Sequence, residues 1–305
     1  MTNKKFVQRW AMRCSIACIA FGLMDANAFG ATTYPVPSLA TNADNADLLD
    51  RTLTDMGLSR IAWNTSYMSQ AQNLDTALLD HEITCGVSRH IVTLEIWDSL
   101  THIAAGRQDD DLRRIARQMR TWQDAHPGHE LIVRPLHEAN GGWYAWGFGS
   151  GNPYGNTMEQ FRPAWWHVRG VMRAVFPALP FFWCPNGLIN GAMSYADWYP
   201  GNDNAEYVGD DGYNRSQSDG HCSWRTPTQV RQETMAAIRA VAHIEKPYIV
   251  GETGSSEPNA CAAARHSKAE WFRQLAVWMR DVAPSYNVVA VNYFDYDKTT
   301  VNGNN

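Results

Sequence analysis

The chain has 305 residues, 45% of them hydrophobic and 19% charged, with a formal net charge of -5. This composition excludes a disordered, collagen-like or coiled-coil protein. Without a block of five or six like charges it offers no basic face for phosphate, so nucleic acid is not an expected partner.

The first 28 residues differ from the rest. Lys4, Lys5, Arg9 and Arg13 precede an apolar run from Cys14 to Met24, and Ala26 and Ala28 then place small residues two apart. This is the layout of a secretory signal peptide cleaved after Ala28. Eleven apolar residues make about 16 Å of helix against a hydrocarbon core of about 30 Å, too short for a transmembrane anchor. The expected mature protein, 29–305, carries 22 basic and 30 acidic residues, a net charge of -8. It is expected to be secreted or periplasmic, with no stable membrane insertion after cleavage.

Cys14 and Cys18 leave with the signal. Of the remaining four, Cys184 follows Phe181, Phe182 and Trp183 and reads as a buried thiol, whereas Cys222 and Cys261 lie in polar loops and are the expected pair. There is no CxxC, and His126-Pro127-Gly128-His129 reads as a turn without other ligands nearby, so neither a zinc site nor any cofactor is expected.

Beyond residue 30, short apolar runs alternate with amphipathic stretches. Strands are predicted over 31–36, 59–65, 90–96, 131–136, 180–185, 206–211, 247–251 and 287–293, and helices over 44–57, 109–125, 158–175, 226–243 and 264–282. Runs such as Leu131-Ile132-Val133 suit parallel strands buried on both faces, and parallel strands need crossover helices. Eight such units predict an α/β fold, a single (β/α)8 TIM barrel. An open Rossmann-type sheet is disfavoured, because the glycine-rich stretch Gly147–Gly151 lies far beyond its strand and reads as a loop. After the last strand only the polar tail Asp295–Asn305 remains, so the expectation is either that a regular final helix is absent or that the chain stops early.

Barrel enzymes carry their chemistry on the loops at the C-terminal strand ends. The fourth strand ends in Arg134-Pro135-Leu136-His137-Glu138 and the seventh in Gly251-Glu252. Two carboxylates facing across a barrel mouth suit acetal hydrolysis, in which one protonates the leaving oxygen while the other attacks the anomeric carbon or activates water. Either glutamate alone is as readily explained by an ion pair with Arg134 or a helix cap; the joint placement favours catalysis.

Arg134-Pro135-Leu136-His137-Glu138-Ala139-Asn140-Gly141-Gly142-Trp143, with Val208–Tyr213, Gly251–Gly254 and Glu95-Ile96-Trp97-Asp98, resembles glycoside hydrolase family 26, which holds many β-mannanases. The resemblance implies a retaining endo-β-glycosidase with Glu138 as acid/base and Glu252 as nucleophile. It further implies that His137 and Arg134 orient the carboxylates and contact the sugar, that Tyr213 hydrogen-bonds the nucleophile, and that Trp143 lines the sugar site. The family's last strand usually ends in an aromatic beneath the reacting sugar; here Tyr293 or Phe294 is nearest to that place.

Trp97, Trp143 and Trp146 fall on predicted loops and are expected to meet sugar faces, while Trp198 and Trp224 carry no preference. Trp122, Trp165, Trp166, Trp183, Trp271 and Trp278 read as packing residues. Of Asp210 and Asp211, one is expected to anchor its loop by side-chain-to-backbone bonds, and neither is expected to be catalytic. The expected partner is a plant or microbial polysaccharide, with β-1,4-mannan first. A β-glucanase, a β-1,3-xylanase, an exopolysaccharide-trimming hydrolase and a non-catalytic carbohydrate-binding barrel are the alternatives. A metal-dependent deacetylase or lyase ranks last for want of a ligand cluster.

Overall fold

The computed structural model describes residues 35–187, 194–215, 224–257 and 266–294. The signal segment, the Cys222–Cys261 pair and the polar tail lie outside the described residues.

Eight strands form one wholly parallel sheet: β1 (Ser38–Asn42), β2 (Trp63–Ser69), β3 (Arg89–Glu95), β4 (Glu130–Pro135), β5 (Phe182–Trp183), β6 (Tyr207–Asn214), β7 (Tyr248–Ser255) and β8 (Val288–Tyr293). Their order is β4-β3-β2-β1-β8-β7-β6-β5. A bridge from Val133 to Phe181, with the Val133 N–H donating to the Pro180 carbonyl, joins the two ends and makes a (β/α)8 barrel. The first strand begins at Ser38, beyond the predicted 31–36; within that prediction, Pro35 and Val36 are not in a strand. Proline restricts the residue before it, and Pro35 and Pro37 bracket Val36, so pairing begins only past Pro37.

The helices are α1 (Ala46–Met56), α2 (Thr76–Thr84), α3 (Leu100–Ala104), α4 (Asp109–Ala125), α5 (Phe161–Val175), α6 (Pro227–Arg239) and α7 (Lys268–Asp281). Local chemistry sets their ends. The Asn45 side chain accepts from the Leu48 N–H to start α1, and Gly57, at φ 66°, stops it in a conformation that costs glycine little. α6 opens on a capping box between Thr226 and Gln229 with Pro227 in its first turn. α2 and α3, which the sequence pattern does not announce, are short; α2 buries only Leu78, Leu79 and Glu82.

Strand alternation divides the core into two layers. Ala40, Trp63, Ile91, Ile132, Phe182, Cys184, Ile249 and Ala290 fill the barrel's interior. Their neighbours Val92, Leu131, Val133, Val208, Tyr248, Val250 and Val291 pack outward against the helices, with Phe161, Ala164, Trp165, Val168 and Met172 of α5 in the same layer. Trp122, Trp183, Trp271 and Trp278 are buried as packing residues, but Trp166 is exposed, its indole donating to the Pro200 carbonyl.

Candidate active site

Above the hydrocarbon floor the barrel interior turns polar. Arg134, one pleat beyond Ile132, is completely buried, and its guanidinium reaches Thr93 Oγ1 (2.9 Å), Asp211 Oδ1 (3.1 Å), the Tyr67 hydroxyl (3.1 Å) and Glu252 Oε1 (2.8 Å). Space for this cluster comes from Gly251. A Cβ there would lie 2.4 Å from Asp211 Oδ1, 2.6 Å from Cys184 Sγ and 2.8 Å from Arg134 Nη1. Cys184 is a buried free thiol, 3.1 Å from Asp211.

The β6–β7 register slips between Asp210 and Asp211, which pair with Val250 and Glu252. Strict alternation after Gly251 would send Glu252 outward; the irregularity re-aims it into the mouth. There Oε1 accepts from Tyr67 (2.7 Å) and Arg134, and Oε2 accepts from Tyr213. Burial alone would raise this carboxyl, but the Arg134 charge and the tyrosine hydroxyls outweigh it and hold the pKa at about 2.

Glu138 stands opposite, just beyond β4. Leu136 and Glu138 both have left-handed backbone, at φ 49° and 50°, an uncommon and costly state for side-chain-bearing residues. The turn is pinned on both sides: the Glu138 N–H donates to the Cys184 carbonyl (2.9 Å), and its carbonyl accepts from Gly141 (2.8 Å). The side chain accepts from the Trp143 indole (2.8 Å) and from the Asn186 amide. Asn186 is itself locked by Asn140, which exchanges two 2.9 Å bonds with its backbone. Burial and the charge of Glu252 push Glu138 up to about 7. Oxygen atoms of Glu138, Asp211 and Glu252 all lie within 4.8 Å of one another.

The remaining expectations divide. Trp97 and Trp143, 48% and 49% exposed, lie at the mouth; Trp97 donates to Glu95, whose pKa burial raises. Trp146 is a correction. It is fully buried, donates to the His137 carbonyl (2.8 Å) and stacks on Tyr144, so it meets protein and not sugar. Trp198 is likewise buried. Arg134 and His137 are both fully buried: they stand beside the carboxylates but present no surface to a sugar. His137 lies 2.9 Å from the Tyr144 hydroxyl, and burial with the Arg134 charge lowers its pKa to about 3, keeping it neutral.

Tyr293 is corrected too. Asn292 points inward to Thr65, so its neighbour Tyr293 must face the helices, where it meets Phe272 edge-on at 4.8 Å. Phe294, the next position, returns to the mouth between Tyr67 and Tyr213. Asp210 and Asp211 bind buried arginines instead of loop backbone: Asp210 pairs with Arg231 (2.9 Å) and Asp211 with Arg134. Tyr67 and Asn186 were not singled out by the sequence. Tyr67 lies two residues before the end of β2 and Asn186 three residues beyond β5, and that nearness to strand ends is the signal that could have drawn attention to them.

The model of Glycosyl hydrolase family 26 matches residues 86–289. The chain belongs to glycosyl hydrolase family 26. The match includes Glu138, Asp211 and Glu252 but not Tyr67. Endoglucanase H of Acetivibrio thermocellus, a curated relative, is 33% identical over 218 residues, which cover 69% of this chain and 22% of that protein. Among solved structures, the family 26 protein GH26C of a Muricauda species aligns with a TM-score of 0.61 at 13% identity, over 86% of this chain and 79% of that one. The β-mannanase BoMan26A of Bacteroides ovatus aligns at 0.54 and 14% identity, over 85% and 80%. These family 26 structures share the barrel fold.

Proposed function

We propose that this chain is an exported retaining endo-β-glycosidase that hydrolyses a β-1,4-linked polysaccharide, with Glu252 as nucleophile and Glu138 as acid/base. The observation that carries the reading is the pairing of two carboxyls of opposite protonation in one mouth, about 7 and about 2, with oxygens within 4.8 Å. Retaining pairs stand about 5–5.5 Å apart, whereas inverting pairs need roughly 6.5–9.5 Å to admit water.

In the first step Glu252 attacks the anomeric carbon as the glycosidic C–O bond breaks, and Glu138 gives its proton to the departing oxygen. The ester so formed removes the charge of Glu252 and with it one cause of the raised Glu138 pKa. Glu138, now a carboxylate, takes a proton from water as that water attacks the same carbon and releases Glu252. Tyr67, Tyr213 and Arg134 hold the nucleophile's oxygens in place. Trp97, Trp143 and Phe294 offer apolar faces to pyranose rings. A barrel that only binds glycan has no need of such divergent protonation.

β-1,4-Mannan is the first substrate. β-Glucan is a second reading, favoured by the name of the 33% identical relative. Release of reducing ends from mannan, mixed-linkage glucan and cellulose separates the two, and no release from any of them refutes both substrates and favours a barrel that only binds glycan. NMR of the first-formed product should find the anomeric configuration retained. Export rests on the basic, apolar and small-residue layout of 1–28; mass spectrometry of protein from the culture fluid should find a chain beginning at Phe29.

A further inference from the structure

Away from the barrel mouth, three unlike donors converge between α1 and α2. His81 and Cys85 lie one helical turn apart at the C-terminal end of α2, and Asp50 reaches them from α1. His81 Nε2 stands 2.8 Å from Asp50 Oδ1 and 3.6 Å from Cys85 Sγ, and the sulfur stands 3.7 Å from the same Asp50 oxygen. We propose that Asp50, His81 and Cys85 form a zinc-binding site that clips α1 to α2 on the outside of the barrel.

The distances carry the inference. Tetrahedral zinc, with bonds of about 2.3 Å to sulfur and about 2.0–2.1 Å to nitrogen and oxygen, sets S···N and S···O edges near ~3.6 Å and the N···O edge near ~3.3 Å. Both sulfur edges already match. Only the Asp50–His81 edge is short, because a hydrogen bond holds it, and exposed Asp50 can open it by a change of rotamer. Nitrogen, thiolate and carboxylate together are a donor set that zinc accepts and that magnesium or calcium does not favour. Thiolate and carboxylate carry two negative charges, which balance the ion. Cys85 is buried beneath the pair, so the ion would sit toward the surface with water in its fourth position. On coordination the thiol gives its proton to solvent. The site escapes sequence patterns because Asp50 is 31 residues from His81 and no CxxC or HxxxH is involved.

The test uses the full chain under a non-thiol reductant. Zinc is titrated against a chromophoric chelator, and cobalt serves as its spectroscopic stand-in. The wild type should bind cobalt with a sulfur-to-metal charge-transfer band, displaced by zinc, and zinc should raise its melting temperature. Cys85→Ser should lose the band. Asp50→Asn, a change at an exposed position that leaves packing intact, should weaken zinc by at least ~10-fold and abolish the rise in melting temperature. A wild type with no band, or a band that persists in Cys85→Ser, would leave only a His81–Asp50 ion pair beside a buried thiol and overturn the site. Neither result bears on Glu138 and Glu252, so the proposal and the glycosidase reading fail separately.

Discussion

Glu138 and Glu252 are the same residue type made unlike by their surroundings. Glu252→Ala should abolish turnover while binding of oligosaccharide, measured by calorimetry, persists; turnover at the wild-type rate would remove Glu252 from the chemistry. Glu138→Gln should slow natural substrates with poor leaving groups far more than activated aryl glycosides, and an equal loss on both would contradict its role as acid. Tyr67 supplies a finer test. Its hydroxyl is one of two donors to Glu252 Oε1, so Tyr67→Phe should raise the pKa of the proposed nucleophile from about 2, move the acid limb of kcat/KM upward and cost roughly 10-fold in rate, about 1.4 kcal/mol. The sequence marks both glutamates because strand ends flag them. It does not mark Tyr67 or Asn186, since a tyrosine or asparagine at a strand end looks the same whether it holds a carboxylate or fills space.

At the scale of the element, short apolar runs such as Leu131–Val133 and Val288–Val291 announced most of the barrel, and the helices with broad apolar faces followed. What was missed is physically alike. α2 and α3 bury too few side chains to imprint a period, and the first strand's start was set by prolines. Trp146 and Tyr293 were misplaced because direction depends on pleat and turn geometry: loop tryptophans have no periodicity, and a shift of one residue in β8 exchanges core for mouth. The same dependence makes Gly251 a sharp test. Gly251→Ala drives a methyl against Asp211, Cys184 and Arg134, none of which is a free surface side chain, and should destabilise by about 1–3 kcal/mol in urea unfolding. Gly57→Ala, with nothing within 4 Å of its new methyl, should show only the milder cost of left-handed backbone.

The molecule as a whole inherits a pH dependence from its two carboxyls. On the proposed mechanism Glu138 must be protonated, so kcat/KM should fall as pH climbs through about 7; a basic limb unmoved in Glu252→Asp or Tyr67→Phe, but lost in Glu138→Gln on aryl substrates, would assign it. Stability should follow with opposite signs. Glu138 favours the folded state while neutral, and that contribution is lost as pH rises from its unfolded pKa of about 4.3 toward 7. Glu252 favours the folded state while ionised, and loses that contribution as pH falls from about 4.3 toward 2. Melting curves of Glu138→Gln should therefore decline less than wild type between about pH 5 and about 8. The closure of the barrel adds a consequence of another kind. β5 has two residues, and the seam it makes with β4 is held by backbone bonds at Val133 and Glu138, directly beneath the proposed proton donor. The least laddered joint of the cylinder is thus the one that sets Glu138 against Glu252. On heating, hydrolysis should fade at a temperature where circular dichroism still reports an intact fold, and the amides of Val133 and Glu138 should exchange with deuterium ahead of those in β2 and β3.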